Sequence, residues 1–197
     1  MKEVIIATQN SGKAKEFEHI FNRSNIQVKS LLDLGDVTEI EENGETFEEN
    51  ALIKAREIAK KYKKLVIADD SGLEVDALNK RPGVYSARYA GEDRDDAKNI
   101  DKVLTELEGI EEKNRSARFV CALALVTENG EEYVVRGECE GQILTHRQGN
   151  EGFGYDPIFY LPSIQKTMAE IPKSEKNVLS HRADAFKKLE NVLMDLM

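Results

Sequence analysis

Two adjacent carboxylates, Asp69 and Asp70, follow the apolar run Leu65-Val66-Ile67-Ala68 and precede Ser71-Gly72. Side by side they repel one another unless something cationic sits between or beside them. Strand alternation sends them to opposite faces, so one of the two enters a site. Hard carboxylate oxygens in such a place suit Mg²⁺, which uses one or two carboxylates together with substrate phosphates. Asp-Ser-Gly is equally the chemistry of an ordinary turn. The acidic cluster Glu39, Glu41, Glu42 and Glu45 either supplies a further ligand or forms a solvated face.

Three other stretches carry chemical potential. Thr8, Gln9, Asn10, Ser11, Gly12 and Lys13 lie between an apolar run and a helical pattern. Backbone N–H groups and the helix dipole there would cradle an anion, and Lys13 adds a full charge. The same residues also fit simple helix capping by Asn10 or Ser11. The Walker pattern is absent. Ser180 reads as an N-cap, which places His181 and Arg182 in a first helical turn, where cations oppose the dipole unless an anion docks; Lys176 lies nearby. Gly152-Phe153-Gly154-Tyr155-Asp156-Pro157 sets two aromatics between glycines, either to stack on a planar ligand or to build a structural loop. The three histidines, His19, His146 and His181, share no metal-ligand spacing.

The elements that must position these residues follow from periodicity. Val4 to Ala7 reads as a buried strand, and Ala14, Phe17, Ile20 and Phe21 recur at helical spacing. Thr46-Phe47-Glu48-Glu49 is a capping box opening a helix through Phe47, Ala51, Ala55, Ile58 and Tyr62. Leu65 to Ala68 is a second short strand, expected to stop at Asp69. Asp93 is expected to cap a helix carrying Ile100, Val103, Leu104 and Leu107. Phe119 to Val126 and Tyr133 to Val135 read as strands joined through Asn129-Gly130. A glycine-rich loop from Gly149 to Gly154 leads to strand character over Pro157 to Leu161. A final helix aligns Phe186, Leu189, Val192, Leu193 and Leu196. The mixture indicates one α/β domain over 1–197 with a mixed sheet.

Composition narrows the partners. With 197 residues, Lys+Arg 28 against Asp+Glu 37 leaves a net charge of −9. That balance argues against non-specific binding to nucleic acid or anionic membranes, though a small anion in one basic pocket is compatible with it. Cys121 and Cys139 are too few for a disulfide framework and read as reduced thiols near a core. No stretch approaches the roughly 20 apolar residues of a membrane span, and the first residues lack a signal-peptide pattern. A cytoplasmic protein is the expectation.

The stretches ATQNSGK (Ala7 to Lys13), ENGETFEENA (Glu42 to Ala51), ADDSGL (Ala68 to Leu73), PGVYSARYAG (Pro82 to Gly91), GFGYDPIF (Gly152 to Phe159) and SHRADA (Ser180 to Ala185) occur in this order. In them the chain resembles the inosine triphosphate pyrophosphatases. The resemblance implies an elongated α/β fold of two lobes with helices packed around the sheet, the nucleotide in a central cleft, and a homodimer. It implies Mg²⁺-dependent hydrolysis of ITP, dITP and XTP to the monophosphate and pyrophosphate. Thr8 to Lys13 would then bind the triphosphate. Glu41 and Asp70 would hold Mg²⁺, with Asp70 also the proton acceptor. Ser71, Phe153, Gly154, Tyr155, Asp156, Lys176, His181 and Arg182 would contact substrate. Lys80 and Asn43 depart from residues frequent in that family, glycine and threonine. A related-fold pyrophosphatase for modified pyrimidine nucleotides and a non-catalytic nucleotide-binding regulator are the rival readings.

Overall fold

Val4, Ile5 and Ile6 are fully buried because the strand they form, β1 (Glu3–Ile6), has a neighbour on each side. It runs parallel to β2 (Gln27–Ser30) and to β3 (Leu65–Val75), with Val4 opposite Leu65 and Ile6 opposite Ile67. A run buried on both faces needs no polar alternation, which is why the sequence reads as continuously apolar there. The computed structural model describes residues 3–21 and 27–196. The side chains of His19, Ile20 and Leu196, named above, lie outside the described residues.

Between these strands stand α1 (Ser11–Phe21) and α2 (Phe47–Tyr62). The chain continues through α3 (Asp96–Glu106), β4 (Ser116–Val126), β5 (Glu132–Ile143), β6 (Phe159–Leu161), β7 (Lys166–Thr167), α4 (Lys173–Leu179) and α5 (His181–Leu196). The sheet order is β2-β1-β3-β4-β5-β6-β7, with β6 antiparallel to both β5 and β7. This is the mixed α/β sheet expected.

Four boundaries differ from expectation. Asp156–Ile158 forms a 3-10 turn that includes Pro157, so the strand expected from Pro157 begins only at Phe159. β3 does not stop at Asp69 but runs on through Asp70, Ser71 and Gly72 to Val75. Turn-prone composition loses because the carboxylates find partners where they stand, as described below. The cap of α3 is Asp95, whose side chain accepts from the Lys98 amide, rather than Asp93. β4 and β5 are also longer than their apolar stretches. Their charged residues are paired on the sheet, with Arg118 Nε 2.8 Å from Glu140 and Arg136 Nη2 3.0 Å from Glu74.

The chain divides into two compact units. The first comprises 1–70, 122–135 and 189–197, and buries Phe17, Phe47, Ala51, Ala55, Ile58 and Ile67. The second comprises 71–121 and 136–188, with Leu73, Val103, Leu107, Phe159 and Ile158 in its core. Cys121 and Cys139 are buried thiols, and burial followed by the nearby Glu140 and Asp184 pushes Cys139 up to about 11, which leaves it inert.

Candidate active site

In the first unit, β1 delivers the chain into Thr8 to Lys13. Asn10 caps α1, its Oδ1 accepting from the Gly12 amide at 2.9 Å and the Lys13 amide at 3.1 Å. The capping reading is therefore realised, and those amides are already engaged. The Lys13 side chain turns to β3 and donates to Asp69 Oδ2 at 2.6 Å. Asp69, 2% exposed, is thus the partner of Lys13, while Asp70 on the opposite face of the strand heads a different group. The Gln9 side chain donates to the Thr38 carbonyl at 3.1 Å, which links this loop to the segment leading into the acidic cluster.

That segment is fixed at its start by Asp36. Its Oδ2 accepts from Lys61 Nζ and the Tyr62 hydroxyl, both at 2.8 Å, and its Oδ1 accepts from the Thr38 amide at 2.9 Å. The Lys61 ammonium above all, with Thr38 and Tyr62, holds the Asp36 carboxyl far below the usual carboxylate range. Past it, Glu42 meets Lys54 Nζ at 3.2 Å, and Lys54 stands 3.8 Å from Asp70 Oδ1. Glu41 is exposed on the same loop.

Asp70 is pulled in opposite directions. Burial raises its pKa, Lys54 lowers it, the Glu42 charge raises it again, and the net position is about 6. Lys54 is the counterpart: burial disfavours its charge, but Asp70, Asp69 and Glu42 together outweigh that and raise it. A partly desolvated carboxylate in this state gains from added positive charge. The donors at hand, Asp70 and the acidic loop, are hard oxygens that fit Mg²⁺. Among the described residues no three His, Cys, Asp or Glu side chains gather as a ready metal cage.

In the second unit, a cavity of about 150 Å³ is lined by Ser71, Ser86, Asp96, Phe119, Phe153, Tyr155, His181 and Arg182, among others. The His181 ring stacks on Phe119 with centroids 5.2 Å apart, and the Arg182 guanidinium lies 5.6 Å over the exposed Phe153 ring. The start of α5 is seated by Gly137 of β5, where a Cβ would lie 2.1 Å from the Ala185 nitrogen. Asp184 reinforces that seat, accepting from the Glu138 amide at 3.0 Å. Gly152 has φ +86°, and a Cβ there would come within 2.0 Å of Asp156 Oδ2 and 2.4 Å of Lys176 Nζ. Only glycine leaves room for the Lys176–Asp156 ion pair, 2.8 Å long. The Phe153 amide donates to Asp156, and the Gly154 amide to Asp96 at 2.7 Å, so these loop amides are committed within the protein. The Tyr155 hydroxyl donates to the Ser86 carbonyl at 2.7 Å, and the Ser86 hydroxyl accepts from the Leu73 amide at 2.8 Å.

The expected residues thus fall into two groups. Thr8 to Lys13, Glu41 and Asp70 belong to the first unit; Ser71, Phe153 to Asp156, Lys176, His181 and Arg182 belong to the second. β3 carries Asp70 and Ser71 as consecutive residues. Sequence reasoning missed Asn50, Lys54, Ser86, Asp96 and Phe119. For the first two a signal existed: they share the stripe 47, 50, 51, 54, 55, 58 of α2 with its buried apolar residues. Polar side chains on an otherwise apolar stripe mark a site or a buried network.

The fold is that of a mixed α/β protein, with a largely shielded carboxylate in one unit and a cavity bordered by His181 and Arg182 in the other. The Ham1 family model matches residues 4–192. A dITP/XTP pyrophosphatase of Halalkalibacterium halodurans is 56% identical, covering 98% of this chain and 100% of its own. One of Bacillus subtilis is 57% identical, covering 98% of each. Among solved structures, the Staphylococcus aureus Ham1 protein superposes with a TM-score of 0.92 at 44% identity over 100% of both chains. The chain belongs to the Ham1 family.

Proposed function

We propose that the chain hydrolyses non-canonical purine nucleoside triphosphates (ITP, dITP and XTP) to the nucleoside monophosphate and pyrophosphate. The observation that carries the reading is the largely shielded Asp70 beside Lys54 and the acidic loop, in a chain more than half identical to proteins named dITP/XTP pyrophosphatases. The triphosphate arrives with several negative charges, so most of the work is positioning and neutralisation. Lys13 and Lys54 offer ammonium groups for this, and Ser11 and Lys13 stand at the positive end of α1. Asp70 is mostly ionised above pH about 6 and is the group that accepts a proton from the water attacking the α-phosphorus. Mg²⁺, with Asp70 and Glu41 as its protein ligands, would neutralise phosphate oxygens and favour the departure of pyrophosphate.

Selectivity resides at the purine 6-position, where inosine and xanthine offer an acceptor and adenine a donor. The amides of 153 and 154 are committed within the protein, and His181 and Arg182 on the wall of the same cavity are the donors assigned to O6. A buried donor facing adenine would go unpaired, which rejects it strongly. Phe153 supplies the aromatic face for the base. A homodimer in the cytoplasm completes the proposal. Among the described residues no helix is long and apolar enough to cross a membrane.

The test is pyrophosphate release by the purified protein, with and without Mg²⁺, from ITP, dITP, XTP, ATP, GTP and modified pyrimidine triphosphates. Release confined to the hypoxanthine and xanthine nucleotides is expected; equal rates on ATP would overturn the reading. Sedimentation of the same preparation checks the dimer.

A further inference from the structure

The acidic loop and Asp70 meet at one side chain, Asn50. It lies early in α2, only 2% exposed, among apolar neighbours on the buried stripe. Its amide makes two hydrogen bonds: the Gly44 N–H donates to Oδ1 at 2.8 Å, and Nδ2 donates to Asp70 Oδ2 at 3.1 Å. The orientation of the amide is not arbitrary. Gly44 offers only a donor and an ionised Asp70 only acceptors, so the carbonyl must face the loop and the NH₂ must face the carboxylate. The loop returns this close to α2 only because residue 44 is glycine, where a Cβ would lie 2.7 Å from Glu49 Cβ and 2.8 Å from Asn50 Oδ1.

We propose that Asn50 is a positioning residue of the hydrolytic site. It grips Asp70 by Oδ2, turns Oδ1 toward Lys54, and ties the carboxylate to the end of the loop that carries Glu41 and Glu42. The proposal rests on the reading of Asp70 as the centre of the reaction. Two acidic elements, one on β3 and one on the loop, repel each other; Asn50 bonds to both without adding charge. Asp and Leu have nearly the same shape, yet neither can do this, since an ionised Asp has no donor for Asp70 and Leu has no polar atom.

The Asn50→Asp variant keeps an acceptor for the Gly44 amide and replaces the donor to Asp70 by a second acidic oxygen, removing both the hydrogen bond and the neutrality of the link. On ITP with Mg²⁺, kcat is expected to fall at least about tenfold while KM for ITP changes less than about threefold, the pattern of a lost outer-shell contact. In Asn50→Ala, which removes both arms, Mn²⁺ binding to the nucleotide-free protein, followed by electron paramagnetic resonance, should weaken at least about fivefold. A smaller fall of kcat in Asn50→Asp, or unchanged Mn²⁺ binding in Asn50→Ala, overturns the proposal, whatever happens to the melting temperature. Should Asn50→Ala fail to fold, Asn50→Asp alone decides. Asp70→Asn assayed alongside separates the two ideas. If it keeps its activity, the reading of the site fails. If it is inactive while Asn50→Asp turns over normally, only the role of Asn50 fails.

Discussion

Asp70 holds its proton more tightly in the folded chain than in the unfolded one, with a pKa near 6 instead of 3.8. The stabilisation this gives is complete below pH about 4 and is lost as pH rises through about 6. At pH about 7.5 the metal-free protein therefore carries an ionised carboxylate at a cost of about 2–3 kcal/mol. Asp70→Asn is expected to remove turnover, by about a thousandfold or more. It should also raise the melting temperature of the metal-free protein by several degrees near neutrality and hardly at all near pH 4. Calorimetry at the two pH values checks this, and a variant that is destabilised at both contradicts it. Glu41 and Glu42 invite a second comparison. Lys54 already engages Glu42, while Glu41 is exposed. Glu41→Gln should raise the Mg²⁺ concentration for half-maximal rate about tenfold or more, and Glu42→Gln should shift it less. Titrations of rate against Mg²⁺ read both.

At the scale of elements, periodicity and capping chemistry made most of the fold legible. The opening strand and helix, the box at Thr46, the hairpin at Asn129-Gly130 and the cap at Ser180 all stand where the residues put them. The misjudged ends of β3, β4 and β5 share one cause: local composition says nothing about a distant partner. Asp69 and Asp70 look like a strand's end until Lys13, 56 residues earlier, and Asn50, 20 residues earlier, are seen to take them up. Charged residues of β4 and β5 look unsuited to a sheet until Arg118 is found against Glu140 and Asp76. Site residues in motifs were legible; Asn50 and Lys54 sat unremarked on a helix already assigned to the core. The glycines make the element scale testable. Gly152→Ala should displace Asp156 and Lys176, raise KM for ITP about tenfold, and cost about 1 kcal/mol or more through the strained φ. Gly137→Ala forces α5 off β5, a clash that costs about 1–3 kcal/mol. Thermal melts and steady-state kinetics on the pair distinguish the two outcomes.

For the whole molecule, the charge of −9 first excluded polyanions, yet the substrate is itself a concentrated anion. The conflict is resolved by placement: Lys13 and Lys54 serve one cluster and Lys176 and Arg182 another, so positive charge is gathered locally although the total is negative. The net negative charge opposes the approach of long phosphate chains. Inorganic tripolyphosphate should therefore compete with ITP, while single-stranded DNA at equal phosphate concentration should not; inhibition assays at low salt check it. The division of the chain has a different outcome. The first unit takes 1–70 from the start of the sequence but also needs 122–135 and 189–197. During synthesis on the ribosome, the unit begun first is therefore finished last. Its parallel strands wait until residues 122–135 and 189–197 have been made, so the first unit stays open to chaperones and proteases throughout synthesis of the second.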